Sequence, residues 1–226
     1  MSRLLAVTAV RAELQAIAGP GSDPVGLGPY DDAVRVLTGA GQVIALAGGV
    51  GPAAAATATA TAICAAGPFD QVISLGIGGG FPDVSPIGAV VLADHIVAAD
   101  LGADSPEGFL PIEALGLGSS SIPCAPQLVA AARSRLPEAV VGPVVTVTTS
   151  TGTAARAAWL RWRQGAVAEA MEGFGVATAA ARHGLPVLEM RAVSNLVGER
   201  DRAEWRIDEA LAALAGAWAR LVAEPL

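Results

Sequence analysis

Apolar positions recur along this chain in two rhythms. Residues 3–8, 70–75, 142–149 and 185–193 are short, nearly unbroken apolar runs, which suit strands buried on both faces. Between them, residues 126–136, 153–162 and 203–222 carry apolar positions at helical spacing, the last with Ile207, Leu211, Leu214, Trp218 and Leu221 on one stripe. A further helix is read from Phe174, Val176, Ala177 and Ala180 and stops at His183 and Gly184. Two runs, 33–37 and 43–47, flank TGAGQ and predict a hairpin, after which GGVGP opens an alanine- and threonine-rich helix to about Ala66. Residues 11–18 predict a short helix and 87–97 another strand, while 100–121 carries scattered glycine and proline and predicts a long loop or lid. Strands alternating with helices predict an α/β fold, a three-layer sandwich around a mixed, mostly parallel sheet, formed by one domain over residues 1–226.

Several polar residues fall where such folds bind ligands, outside the C-terminal ends of strands. Glu13 follows the first strand, Glu172 opens the helix of Phe174, and Ser194 and Asn195 end the strand of residues 185–193. GIGGG, residues 76–80, ends another strand. It departs from a dinucleotide fingerprint because residue 81 is Phe and no helical pattern follows. Either packing demands a tight bend there, or a flat ligand approaches the backbone closely.

The order of these pieces carries a resemblance. MEG at residues 171–173, placed before an alanine-rich helix and followed by RAVSN at 191–195, resembles the nucleoside phosphorylase and nucleosidase superfamily. The longer run RAVSNLVGERDR, residues 191–202, resembles more narrowly the futalosine hydrolases of menaquinone biosynthesis. The resemblance spans essentially the whole chain. It implies the phosphorylase-type fold and hydrolysis of an N-glycosidic bond, with Glu13 holding and deprotonating the water and Glu172 accepting hydrogen bonds from both ribose hydroxyls. It also implies that Met171 packs on the sugar, that Gly78 and Gly79 line the nucleoside pocket, that Ser194 and Asn195 meet the base, and that Phe81 and the 100–121 loop are candidate walls for the substrate's 5' substituent.

Adenine-cleaving nucleosidases of the superfamily carry aspartate where this chain has Asn195. A carboxamide can donate to a 6-oxo group, so the position points to hypoxanthine, and it stabilises the leaving base by hydrogen bonding because an amide does not titrate. Phosphorylases of this fold place an arginine and a serine where this chain has Ser74 and Ile77, which favours water over phosphate as the nucleophile. The benzoate of futalosine calls for a cation, with Arg11, Arg156, Arg200 and Arg202 as candidates. The alternatives are a purine nucleoside phosphorylase, a methylthioadenosine-type nucleosidase, or a nucleoside-binding protein for which Glu13 is dispensable.

Composition narrows the field further. A net charge of −7 and a pI of about 4.8 offer nothing to a phosphate backbone, so no nucleic-acid partner is expected. All 14 basic residues are arginine, which excludes Schiff-base and P-loop lysine chemistry. Cys64 and Cys124 lie far apart and read as buried or inert thiols of a reducing, cytoplasmic compartment. With two histidines and no ligand spacing, no metal or cofactor is expected. The apolar run near residue 4 is too short for a secretory segment, and glycines, Pro52 and threonines argue against a membrane span at 43–67. At 53% hydrophobic and 15% charged residues, some apolar surface is expected to be covered by another copy of the chain, as a homodimer or larger homo-oligomer.

Overall fold

The computed structural model describes residues 2–19 and 22–226. The chain runs from β1 (Arg3–Thr8) through α1 (Arg11–Ala18) and a short β2 (Asp23–Pro24) to the hairpin β3 (Val34–Thr38) and β4 (Gly41–Ala47). It then crosses by α2 (Pro52–Ala66) to β5 (Gln71–Gly80), β6 (Val90–Ala98) and a separate hairpin of β7 (Gly102–Ser105) and β8 (Gly108–Pro111). β9 (Ser121–Pro123), α3 (Pro126–Arg135), β10 (Val140–Thr146), α4 (Ala154–Gln164), β11 (Ala168–Ala170), α5 (Gly173–Arg182), β12 (Val187–Leu196) and α6 (Ile207–Leu221) follow.

Ten strands form one mixed sheet in the order β11-β10-β6-β12-β5-β1-β4-β3-β2, with β9 beside β6. β12, β5, β1 and β4 are mutually parallel, as are β6, β10 and β11, and β6 meets β12 antiparallel. Side chains alternate between two apolar layers: Leu4, Ala6, Val43, Ala45, Ile73 and Leu75 face α1, α3 and α6, whereas Leu5, Val7, Ile44, Leu46 and Val72 face α2 and α5. This is the expected three-layer sandwich. Small residues bring α2 and α5 close together, because a Cβ on Gly175 would lie 2.0 Å from the carbonyl oxygen of Pro52.

The sheet also closes on itself. β5 pairs with β1 at its start and with β12 along nearly its whole length, and its glycine-rich end also pairs antiparallel with β11, so that β5, β12, β6, β10 and β11 make a ring. GIGGG is therefore extended strand and not a tight bend. It is glycine because other groups come too close: a Cβ on Gly78 would meet the Glu169 carbonyl oxygen at 2.7 Å, and one on Gly80 the Ser85 carbonyl oxygen at 2.0 Å.

Three further expectations change. Residues 100–121 hold the β7–β8 hairpin, whose Phe109 stacks edge-on with Trp159 of α4, so this segment packs on α4 and does not form an irregular lid. The strand expected from residue 87 starts at Val90, after a turn. The final helix starts at Ile207, because residues 202–204 form a 3₁₀ turn and the Arg206 N–H goes to the carbonyl oxygen of Ser194 instead of into a helical ladder. That break turns Trp205 toward the end of β12.

Candidate active site

A cavity of about 290 Å³ opens at the C-terminal ends of β1, β5 and β12 and collects seven of the eight expected site residues: Glu13, Gly78, Gly79, Met171, Glu172, Ser194 and Asn195. Glu13 lies in the first turn of α1 and is buried. Its Oε2 accepts the N–H groups of Ala9 (2.9 Å) and Val10 (3.2 Å), and its Oε1 accepts that of Ile77 (2.8 Å). The Val10 bond is the one that an acid at the third helical position makes to cap its own helix, and the Ala9 bond reaches one residue farther back. The third crosses to β5 and serves no cap; it points the carboxylate over Gly76.

Gly76 pairs in register with Arg191 of β12. A Cβ there would lie 2.5 Å from Arg191 Nη1 and 2.6 Å from Glu13 Oε1, so the missing side chain is what lets guanidinium and carboxylate converge. Arg191 is wholly buried. It donates from Nε to Glu189 (2.8 Å), from Nη2 to Ser74 (3.0 Å) and from Nη1 to Glu172 (3.4 Å). Burial pulls its pKa down, but Glu189, Glu172 and Glu13 outweigh that and push it up. Burial pushes the Glu189 carboxyl up, with Arg191 opposing. Glu189 fits because Gly173, at the start of α5, has no Cβ to strike it.

Glu172 is the residue before α5. Its Oε1 accepts the Gly51 N–H at 3.2 Å, and Oε2 faces the Met171 N–H at 3.3 Å and Arg191. The carboxylate is thus gripped from α2, from its own strand end and from β12, a geometry that a solvated helix-terminal acid would not need. Met171 lines the cavity beside it and packs against an apolar cluster under β10 and α4.

At the other end, Ser194 Oγ lies 2.9 Å from Asn195 Oδ1 and 3.2 Å from the Gly78 carbonyl oxygen, and Asn195 Nδ2 donates to the Leu196 carbonyl oxygen at 3.1 Å. With Oδ1 accepting from the serine hydroxyl, Nδ2 keeps a second N–H for a ligand. Phe81 is the exception among the expected residues. The chain turns at its carbonyl, which accepts from Val84 and Ser85, and the ring is buried with Val145, Leu160 and Val197, lining a neighbouring cavity with Pro82 and Ala154. It does not line this one.

Of the four candidate arginines, Arg200 lines the cavity, held by a bond to Ser150 Oγ (3.0 Å) and by stacking on Trp205 (5.0 Å). Arg11 is exposed, Arg202 packs on Trp205 without lining the cavity, and Arg156 lines a separate one with Asp100 and Trp159. Ser74 is spent on Arg191, and Ile77 contributes its backbone N–H to Glu13. Arg191 and Glu189 beneath the cavity, and Glu169, Thr151 and Trp205 on its wall, are not among the residues expected from the sequence. Opposite charges two residues apart at Glu189 and Arg191, in a strand otherwise apolar on both faces, were the one local signal for a buried pair. Among the described residues no three His, Cys, Asp or Glu side chains converge as metal ligands, and no helix is long and apolar enough to cross a membrane.

Comparison with known proteins adds three findings. Residues 8–224 match the phosphorylase superfamily model. The chain is 57% identical to a futalosine hydrolase of Streptomyces coelicolor, covering 78% of this chain and 77% of that protein, and 44% identical to one of Acidothermus cellulolyticus, covering 95% and 91%. Its fold is shared by the native futalosine hydrolase of Helicobacter pylori (TM-score 0.84, 20% identity, 98% of this chain and 97% of that one). A methylthioadenosine nucleosidase mutant of the same organism with 5'-methylthioadenosine in its active site also shares it (TM-score 0.86, 20% identity, 98% of each).

Proposed function

The chain belongs to the phosphorylase superfamily and, within it, to the futalosine hydrolases, and from that premise we propose how its cavity splits futalosine into hypoxanthine and dehypoxanthinyl futalosine. The chain is an N-glycosidic hydrolase of menaquinone biosynthesis. Breaking the bond builds positive charge on the sugar, so the site must hold the sugar, aim a water and stabilise the departing base. Glu172 holds the ribose hydroxyls, and its three anchors keep the carboxylate in place before substrate arrives. Glu13 takes a proton from the water as it attacks the anomeric carbon. Asn195 donates its remaining Nδ2 N–H to O6 of the base.

The observation that carries this reading is the charge at the sugar end. Glu13 and Glu172 both line it, Arg191 is already engaged by two carboxylates and a serine, and among the described residues Arg200 is the one cation on the cavity wall. An entering phosphate would face Glu13 directly. Each pair of unit charges about 4 Å apart costs about 4 kcal/mol at an effective dielectric near 20, whereas water meets no such penalty. The reaction as proposed draws on water and side chains alone, in one domain and in the cytoplasm.

Arg200, with Trp205 behind it, is the arginine placed to take the benzoate. Val10 and Val50 of the cavity wall are 41% and 57% exposed, and Leu196 and Ile207 are exposed too, a rim that a second copy of the chain would cover. Incubation with futalosine, inosine and methylthioadenosine, following free base, tests the substrate. Futalosine should be cleaved far faster than the others; a preference for methylthioadenosine would refute the reading.

A further inference from the structure

One buried acid of the cavity has no part in the chemistry of Glu13, Glu172 and Asn195. Glu169 sits in the middle of β11, 7% exposed, and lines the cavity at its base end. It is directly opposite Gly79 of β5, and Gly79 is opposite Asn195 of β12 on its other side. Residues opposite one another in a sheet project to the same face. Glu169 and Asn195 therefore flank a position with no side chain, one strand spacing of about 4.8 Å away on each side. A Cβ on Gly79 would lie 3.4 Å from Asn195 Nδ2 and 2.8 Å from Val197, which places Asn195 on that same face. The result is a slot with a glycine floor bounded by Val197, with an amide on one wall and a carboxylate on the other.

We propose that Glu169 is a second base-reading residue, whose carboxylate accepts the N1–H of a 6-oxopurine held over Gly79 opposite Asn195. This rests on the reading of the cavity as a futalosine site. Thr151 fixes the carboxylate through its N–H (2.8 Å to Oε1) and its hydroxyl, which bonds Oε2. That uses two of about four acceptor positions and leaves the others for a ligand. A carboxylate in a cavity wall is expensive to bury; burial raises the Glu169 pKa, with the Thr151 bonds and Arg156 opposing and Asp100 adding to the rise. Merely tying β11 to residue 151 would not require a charge. An N1–H donor justifies one. Adenine offers a lone pair at N1, so the same carboxylate would reject it, adding to the selection made by Asn195.

Calorimetric titration of free hypoxanthine, 1-methylhypoxanthine and adenine into the intact protein tests this without relying on turnover. The wild-type protein should bind hypoxanthine at least about tenfold more tightly than either other base, the loss expected of one hydrogen bond to a charged group. In Glu169→Ala the preference over 1-methylhypoxanthine should shrink to about threefold or less. Equal binding of the first two bases by the wild type would overturn the proposal, as would a folded Glu169→Ala that keeps the full preference. If the alanine variant does not fold, Glu169→Gln, which keeps the volume and can turn a donor NH₂ toward N1–H, should show the same loss, and a Glu169→Gln protein with the full preference would overturn the proposal. Failure to cleave futalosine would instead overturn the hydrolase reading, which these titrations leave separate.

Discussion

Replacing Glu13 with glutamine should separate its structural work from its chemistry. The carboxylate accepts three backbone N–H groups, two at Oε2 and one at Oε1. A glutamine can turn its oxygen toward Ala9 and Val10 and keep two of these bonds, but its NH₂ then faces the Ile77 N–H, donor against donor. One hydrogen bond to a charged group is lost, which costs about 1.5–3 kcal/mol of stability. The variant should stay folded with a lower urea midpoint. Catalysis should suffer more, because an amide cannot take the proton of the attacking water; loss of a general base lowers kcat by roughly 10²–10⁴, or about 2.7–5.4 kcal/mol of barrier. KM should change little, since Glu172 and Asn195 still hold sugar and base. Initial rates of hypoxanthine release, read beside urea unfolding, give both quantities. A Glu13→Gln protein with wild-type kcat would show that Glu13 only caps α1 and that the water is activated elsewhere.

Asn195→Asp should depress activity on futalosine and raise the ratio of 6-amino to 6-oxo activity, measured with futalosine and its aminodeoxy analogue; equal losses on both would make Asn195 structural. Arg200→Met should raise KM for futalosine with little change in kcat if it binds the benzoate uniformly in ground and transition states, and an unchanged KM would free it of that role. The two thiols should differ. Cys64 is exposed, so of the expected buried or inert thiols it is not a buried one, whereas burial, aided by the nearby Glu189 and Asp94, pushes the Cys124 thiol up to about 12. At pH 8 a thiol reagent should therefore modify one cysteine in the native protein and two in denaturant; rapid native modification of both would contradict the burial of Cys124.

The layering of the fold was legible because it rests on local patterns. Buried strands read as apolar runs, and Pro52, Thr153 and Gly184 mark helix ends where the sequence expects them. Ring closure was not legible, since β11 has only three residues and its pairing with Gly79 and Gly80 is a long-range event. The β7–β8 hairpin hid behind glycines and prolines that read as irregular, although Phe109 and Trp159 anchor it. In the site, Glu13, Glu172 and Asn195 stand at strand or helix ends, where a ligand-facing position can be inferred from order alone. Arg191, Glu189 and Glu169 lie inside strands, and which face they serve depends on their neighbours in the sheet. Phe81 was misplaced for a similar reason: the chain turns immediately after Gly80 and carries the ring beneath the adjoining cavity.

We propose that water, and not phosphate, attacks futalosine in the cavity lined by Glu13 and Glu172. This is tested most directly by following wild-type cleavage of futalosine in phosphate-free buffer and again with phosphate added, identifying the sugar product by mass. Equal rates of hypoxanthine release and a free sugar are expected in both. A rate that requires phosphate, with a sugar 1-phosphate as the product, would contradict it.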